Sequence, residues 1–172
     1  MSDVAATPRE HKAHAPTSVG CWVVTISDTK TPETDTSGAA IRELLAAAGH
    51  RVAGSTLVRD EPADVQRVVR EACGDARVQA VIMTGGTGIT SRDSTFEAVE
   101  ALLDKRLPGF GELFRVLSYE EVGAAAMLSR AQMGLHAGRI VVSLPGSPNA
   151  CRLALEKLLI PELGHLVREA SR

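Results

Sequence analysis

The chain alternates short apolar runs with segments of helical periodicity, and this alternation limits the fold more than any other feature. Residues 20–27, 52–58 and 78–84 are apolar runs rich in β-branched side chains. Between them, residues 37–48 and 62–73 repeat apolar side chains every three or four positions, and a glycine follows each. Strands that alternate with helices form parallel sheets with right-handed crossovers. We therefore predict an α/β fold, a three-layer α/β/α sandwich with a mostly parallel central sheet.

The second half of the chain follows the same rhythm less regularly. Residues 139–144 predict another buried strand, and residues 149–168 predict a helical segment with a break at Pro161. Residues 107–137 interrupt the alternation, and the short helices predicted there are 113–119 and 121–133. An insertion longer than a simple crossover often forms a lid, a wall of a site or a subunit contact. We expect one of these roles for it.

The composition favours one compact domain. The chain has 172 residues, of which 44% are hydrophobic and 3% aromatic, so its core is expected to consist of Val, Leu, Ile and Ala. The net charge is -2, with 19 basic and 21 acidic residues and no basic stripe. This pattern argues against nucleic acid as a partner. No apolar run approaches the roughly 20 residues of a membrane span.

The ends of the chain and its cysteines indicate the compartment. Residues 1–18 are polar and lack the apolar region of a signal peptide, so we predict a flexible N-terminal arm, a domain over residues 19–172 and a cytoplasmic location. Cys21, Cys73 and Cys151 are widely separated and lie in apolar segments. This arrangement is typical of reduced thiols in a core.

A glycine-rich segment directly after the third apolar run is the strongest functional signal. It reads TGGTGITSRDS over residues 84–94, which we call the glycine loop. Its glycines let backbone N–H groups approach a ligand, and its threonine hydroxyls are groups that phosphates accept. The helical pattern over residues 94–103 would point its positive end at the same place. The spacing fits neither a Walker loop nor a dinucleotide fingerprint, and taken alone an ordinary βα turn explains it equally well.

Polar residues also follow the other predicted strands. Ligands of open parallel sheets bind outside the carboxyl ends of the strands, so these residues are expected to meet the glycine loop. They are Asp35, Ser37, Asp60, Pro145, Gly146 and Ser147. Each polar one among them, taken singly, is also an ordinary helix-capping residue, and residues 94–97 match a capping box. Capping does not require the glycines of the loop or the additional acid Asp93.

The convergence predicts phosphate-centred chemistry. Backbone amides and hydroxyls would hold oxyanions, while Asp60 and Asp93 would together hold a Mg²⁺ ion that neutralises a nucleotide polyphosphate. Arg92 and Arg130 are candidate phosphate partners, and the alternative for each is an ordinary solvated arginine.

Seven segments in order resemble the molybdenum cofactor biosynthesis protein B family (MoaB/Mog). They are DTSG (35–38), VRDE (58–61), TGGTGITSRD (84–93), GFGELFR (109–115), LSYEE (117–121), SRA (129–131) and LPGS (144–147). The match runs from about residue 20 to residue 166, and the GFGE and LSYEE segments are most similar to the B branch. The resemblance implies a molybdopterin-binding α/β/α domain. For the wider family it implies Mg²⁺- and ATP-dependent transfer of AMP to the terminal phosphate of molybdopterin.

The resemblance also implies roles for individual residues. Asp60 and Asp93 would take the metal and catalytic roles. The residues that would bind molybdopterin or nucleotide are Asp35, Ser37, Thr84, Gly85, Gly86, Thr87, Gly88, Pro145, Gly146 and Ser147. Expected ligands are Mg²⁺, ATP and molybdopterin, and expected partners are further copies of the chain, as a trimer or hexamer, and other molybdenum cofactor enzymes.

Two other functions remain open at this stage. One is a molybdopterin carrier or scaffold without catalysis. The other is the nucleotide-processing domain of competence-damage-type proteins, which shares this fold but usually occurs in longer chains with a second domain.

Overall fold

A six-stranded sheet with helices on both faces forms the protein in the computed structural model, which describes residues 15–172. Most of the predicted arm, residues 1–18, lies outside the described residues, so the arm stays a prediction. The strands are β1 (Gly20–Ile26), β2 (Arg51–Val58), β3 (Ala80–Thr84), β4 (Lys105–Arg106), β5 (Gln132–His136) and β6 (Arg139–Leu144). The α-helices are α1 (Thr36–Ala47), α2 (Pro62–Gly74), α3 (Thr95–Glu100), α4 (Pro108–Val122), α5 (Pro148–Ala154) and α6 (Ile160–Ala170).

The strand order is β2-β1-β3-β6-β5-β4. The first four strands in this order are parallel, whereas β5 pairs antiparallel with β6 and β4 pairs antiparallel with β5. The predicted α/β class with a mostly parallel sheet and helices on both sides is therefore confirmed. Within the described residues, no helix has the length and apolar character needed to cross a membrane.

Alternate residues of the parallel strands face opposite helical layers. In β1, Cys21 and Val23 pack in a cluster with α1, α4, α5 and α6, whereas Val24 and Ile26 pack in a second cluster with α2 and α3. All four side chains are at most 3% exposed. A strand buried on both faces must be apolar at consecutive positions, which is why these runs were recognisable in the sequence.

The parallel strands end level with one another. Ile26 of β1 lies opposite Val58 of β2, Thr25 lies opposite Thr84 of β3, and Thr84 lies opposite Leu144 of β6. The four segments that follow these strands therefore start at one edge of the sheet. This is the edge where ligands bind in open parallel sheets.

The insertion contains the main errors of the sequence-based expectation. The helices predicted over 113–119 and 121–133 are instead one helix, α4, then the 3-10 helix Gly123–Leu128 and the strand β5. The helix predicted over 94–103 is the shorter α3. At the expected break near Pro161, a π-helical turn at Leu155–Leu159 leads into α6, which has this proline in its first turn.

Close backbone approaches explain why glycines occur inside α4 and β5. A methyl group on Gly134 would lie 2.3 Å from the carbonyl oxygen of Lys105, and one on Gly111 would lie 2.7 Å from that of Ala131. Gly134 therefore permits the pairing of β5 with β4, and Gly111 permits α4 to pack against the residue that precedes β5. In the sequence, the same glycines suggest turns.

Candidate functional site

The glycine loop leaves the carboxyl end of β3 in a conformation that requires glycine. Gly85 and Gly86 have φ values of 107° and 65°. A methyl group on Gly85 would lie 2.1 Å from the carbonyl oxygen of Ile26, and the Gly85 N–H donates to the Leu144 carbonyl at 3.0 Å. The start of the loop is thereby fixed between the ends of β1 and β6.

A cavity of about 430 Å³ opens beside the glycine loop. Its lining residues are Gly86, Thr87, Gly88, Asp93, Leu128, Ser129, Pro145 and Gly146. Among the residues that the structure describes, the backbone N–H groups of Gly86, Thr87 and Gly146 have no hydrogen-bond acceptor. They are therefore available to an anion, as the N–H groups of a nest are.

Asp60 contacts the glycine loop from the end of β2 and is 7% exposed. Its Oδ1 accepts hydrogen bonds from the Ser94 N–H at 3.2 Å, the Ser94 hydroxyl at 2.8 Å and the Thr95 hydroxyl at 3.3 Å. Its Oδ2 has no donor among the described residues and would lie 2.4 Å from a methyl group on Gly86. The capping-box alternative is wrong for Ser94, because this hydroxyl bonds Asp60 and does not cap α3.

Asp93 is bound within the glycine loop itself. Its Oδ2 accepts from the Thr90 hydroxyl at 2.6 Å and the Thr90 N–H at 2.8 Å. The hydrogen bond from the Thr90 hydroxyl lowers the pKa of Asp93, and the N–H groups of Thr90 and Gly88 and the charge of Arg130 add to this effect. The carboxylate is therefore held in its ionised form.

The two acids provide oxygen ligands but do not form a complete metal cage. Among residues 15–172 no cluster of three or more His, Cys, Asp or Glu side chains could hold a metal ion. Mg²⁺ commonly binds through one or two carboxylates, with water and substrate phosphates as the other ligands. The carboxylates of Asp60 and Asp93 are donors of the kind that Mg²⁺ prefers, and Asp93 is the one of the two that lines the 430 Å³ cavity.

Asp35 and Ser37 are buried and have partners inside the protein. Asp35 caps α1 by accepting from the Gly38 N–H at 2.9 Å, and it also accepts from the Thr25 hydroxyl at 2.7 Å. The Ser37 hydroxyl donates to the Gly146 carbonyl at 2.7 Å and accepts from Lys30 Nζ at 2.7 Å. Asp35 therefore connects α1 to β1, and Ser37 connects α1 to the loop after β6. Neither residue lines the 430 Å³ cavity.

The hydroxyls of Thr84 and Ser147 are also engaged. Thr84 Oγ1 donates to the Pro145 carbonyl at 2.8 Å and contacts Cys151 Sγ at 3.2 Å. Ser147 Oγ accepts from the Ala150 N–H at 3.2 Å and caps α5. The Thr84 hydroxyl is therefore committed to an acceptor, whereas Ser147 Oγ only accepts and keeps its own proton to donate. Backbone N–H groups and the Ser147 hydroxyl remain as donors for an anion.

The two candidate phosphate arginines have protein partners. Arg92 pairs with Asp28 at 2.8 Å and Glu61 at 3.0 Å, and these contacts raise its pKa. Arg130 binds carbonyl groups of the glycine loop and pairs with Glu97. Both guanidinium groups therefore bond protein groups in this structure, and their first role is to hold the loops together.

A larger groove of about 720 Å³ adjoins the cavity and shares Pro145 and Ser129 with it. Phe114 and Ser118 of α4 and Lys157 lie in its wall. Sequence reasoning did not identify this groove. The GFGELFR and SRA segments, which contribute Phe114 and Ser129 to the groove, were the sequence features that could have indicated it.

The fold and site define a class: an α/β/α domain whose glycine loop, at the carboxyl end of a parallel strand, presents backbone N–H groups without protein acceptors among the described residues. The family described as "Probable molybdopterin binding domain" matches residues 22–165. Molybdenum cofactor biosynthesis protein B of Bacillus subtilis (strain 168) is 51% identical over 165 residues, covering 95% of this chain and 97% of the relative. The protein of the same name from Halalkalibacterium halodurans is 50% identical over 161 residues, covering 93% and 95%.

Solved structures agree with this assignment. A crystal structure of molybdenum cofactor biosynthesis protein B has a TM-score of 0.89 and 51% identity, covering 92% of this chain and 99% of the other. The tungsten cofactor synthesizing protein MoaB from Pyrococcus furiosus has a TM-score of 0.80 and 40% identity, covering 92% and 100%. The chain belongs to the molybdenum cofactor biosynthesis protein B family, which confirms the resemblance seen in the sequence. A CinA protein from Thermoplasma acidophilum, at 18% identity and a TM-score of 0.60, shares the fold alone.

Proposed function

We propose that the protein binds molybdopterin through its terminal phosphate at the glycine loop and transfers AMP to that phosphate from ATP. In this reaction a phosphate oxygen of molybdopterin attacks the α-phosphorus of ATP and forms a new P–O bond. The bond between the α-phosphorus and the oxygen that bridges to the β-phosphorus breaks, and pyrophosphate leaves. Mg²⁺, held by Asp60 and Asp93, would supply charge neutralisation on the polyphosphate.

The observation that carries the proposal is the pairing of free amides with two flanking acids. The N–H groups of Gly86, Thr87 and Gly146 lack protein acceptors among the described residues, and Asp60 Oδ2 lacks a donor there. Amides that are fixed before the ligand arrives stabilise phosphate charge without reorganisation. The adjoining 720 Å³ groove offers space for the remainder of a pterin or nucleotide.

Release of pyrophosphate tests the enzymatic proposal. The purified protein with Mg²⁺, ATP and molybdopterin is expected to form adenylylated molybdopterin and pyrophosphate in equal amounts. Asp93→Asn should abolish turnover, whereas Asp64→Asn, which makes the same change at an exposed acid on α2, should keep the wild-type rate. Absence of product with the wild-type protein contradicts adenylyl transfer. Full activity of Asp93→Asn removes Asp93 from the mechanism.

One observation favours a carrier or scaffold as the second candidate. The Asp93 carboxylate already accepts hydrogen bonds from the hydroxyl and N–H of Thr90, so it has a structural use that is independent of a metal. A carrier would bind molybdopterin but not ATP. Calorimetric titration distinguishes the two candidates, because affinity for ATP and Mg²⁺ is expected only of the adenylyltransferase.

We also propose that the protein assembles as a homotrimer or homohexamer. The α4 helix and the following 3-10 helix expose large apolar side chains, each between 52% and 74% exposed: Leu113, Val116, Tyr119, Val122, Met127 and Leu128. Burial of such a face against another copy is favourable because it removes apolar surface from water. Light scattering is expected to give three or six chain masses, and a monomer would refute the assembly. A cytoplasmic location and contacts with other molybdenum cofactor enzymes stay predictions.

A further inference from the structure

We propose that Arg130 is a positioning residue that orients the glycine loop and, through it, both Asp60 and Asp93. The expected effect of Arg130 on ligand binding rests on the proposed function. Its effect on the conformation of the loop does not. Arg130 lies within the insertion, two residues before β5, and reaches back more than 40 residues to Thr87 and Gly88 of the loop.

The Arg130 guanidinium binds three carbonyl groups of the glycine loop. Nε donates to the Thr87 carbonyl at 3.1 Å, and Nη2 donates to the carbonyls of Gly88 at 2.6 Å and Asp93 at 3.3 Å. A planar guanidinium presents its donors in a fixed fork, so it holds these carbonyls in one relative arrangement. The middle of the loop and its last residues are thus bound to a single side chain.

The direction of each carbonyl determines the direction of the next N–H group. In a trans peptide the C=O of one residue and the N–H of the following residue point in opposite directions. Binding of the Thr87 carbonyl therefore directs the Gly88 N–H away from Arg130, and this N–H contacts the Asp93 carboxylate. Binding of the Asp93 carbonyl likewise directs the Ser94 N–H, which donates to Asp60 Oδ1 at 3.2 Å.

Arg130 is itself held by α3. Its Nη1 forms an ion pair with Glu97, and its guanidinium carbon lies 5.1 Å from the centre of the Phe96 ring. The side chain is 25% exposed. Charge-assisted hydrogen bonds of this kind are stronger than neutral ones. Because Glu97 and Phe96 hold the Arg130 guanidinium in place, its position fixes the conformation of the loop.

The test compares Arg130→Gln, Arg130→Lys and the control Arg67→Gln in the full-length chain. Arg67 pairs with Asp64 and Glu71 on the exposed face of α2, so its replacement makes the same charge change away from the loop. One readout is hydrogen exchange, without ligand, of the bonded loop amides of Thr90, Asp93 and Ser94. The other is the dissociation constant of Mg²⁺–pyrophosphate, used as the probe of the phosphate site.

Arg130→Gln is expected to speed exchange of the hydrogen-bonded amides of Thr90, Asp93 and Ser94 by about tenfold or more, because it removes the charge-assisted hydrogen bonds that hold the loop carbonyls. Exchange in β1 and β6 should stay at the wild-type rate, and pyrophosphate binding should weaken by a similar factor. Arg130→Lys keeps the charge but lacks the fork, so it should not restore either readout. Arg67→Gln should match the wild type in both.

Wild-type affinity in Arg130→Lys would assign Arg130 a charge effect and overturn the positioning role. Wild-type exchange in Arg130→Gln, or faster exchange with unchanged pyrophosphate affinity, would also overturn it. If the wild-type protein binds no pyrophosphate, the proposed phosphate site fails separately, and the exchange rates alone decide whether Arg130 orients the loop.

Discussion

Replacement of Gly86 by alanine tests whether the glycine loop and Asp60 are packed as one unit. Gly86 has a φ of 65°, and a methyl group there would lie 2.1 Å from Thr95 Oγ1 and 2.4 Å from Asp60 Oδ2. Thr95 is fully buried and Asp60 is 7% exposed, so neither can move into solvent without disturbing the packing. The substitution must therefore displace the carboxylate or the loop.

Two contributions determine the cost. A left-handed backbone costs a residue with a Cβ about 1–2 kcal/mol, partly offset by about 0.4–1 kcal/mol because alanine restricts the unfolded chain. Displacement of Asp60 weakens its hydrogen bonds from Ser94 and Thr95, and a hydrogen bond to a charged group contributes about 1.5–3 kcal/mol. The second contribution exceeds the first and is specific to this position.

Gly49→Ala provides the matched control. Gly49 has a φ of 84°, and no atom lies within 4 Å of the position that a Cβ would take. In this variant the free energy of unfolding is therefore lowered by the backbone conformation alone, with no steric contribution. The Gly86→Ala protein is expected to be about 2–3 kcal/mol less stable than the Gly49→Ala protein. For a chain of this length the melting temperatures should differ by about 4–12 °C.

Thermal and urea unfolding of both variants, followed by circular dichroism, measures this difference. Equal stability of the two variants would refute the packing argument, because the contact between Gly86 and Asp60 would then contribute nothing. Binding of Mg²⁺–pyrophosphate should be lost in Gly86→Ala and kept in Gly49→Ala. Loss in both would show that the effect is not local to the loop.

Three further outcomes are expected. Burial raises the pKa of Cys21 to about 12, so iodoacetamide at pH 8.5 should leave this thiol unmodified in the native protein, as checked by mass spectrometry. Hydrogen bonds from Arg77 lower the pKa of Asp75 to about 2. The stability difference between wild type and Asp75→Asn should therefore be complete above about pH 4 and disappear as the pH falls towards 2, in urea titrations. Gly54→Ala would place a methyl group 2.5 Å from the Trp22 ring, which should shift the fluorescence of this single tryptophan.

The strands of the parallel sheet could be predicted because burial on both faces leaves a local signal. Residues 20–27 and 139–144 were expected as strands and appear as β1 and β6 with nearly the same bounds. The strand β5 could not be predicted in the same way, because it contains Gly134. A glycine is needed at this position because the carbonyl of Lys105 approaches it closely. That contact joins segments distant in sequence, so no local pattern encodes it.

The candidate site shows the same division. The glycine loop and the two acids were selected because strand ends of a parallel sheet meet at one edge, which follows from topology. The partners of individual side chains did not follow from topology. Thr84 and Ser147 were expected to hold oxyanions. The Thr84 hydroxyl donates to the Pro145 carbonyl, whereas Ser147 Oγ accepts from the Ala150 N–H and keeps its own proton to donate.

Because several polar side chains bond other protein groups, the path of the backbone matters more for ligand binding in the proposed site than the side-chain hydroxyls do. Hydroxyls and guanidinium groups that are committed to protein acceptors hold the loops after β3 and β6 in fixed positions, as the Ser37 bond to the Gly146 carbonyl does. Most of the groups left for an anion are backbone amides, whose directions depend on the path of the chain. Recognition by amides depends on shape, because every residue except proline supplies the same donor. The glycines, which set that path, are therefore more restrictive at this site than the hydroxyl side chains beside them.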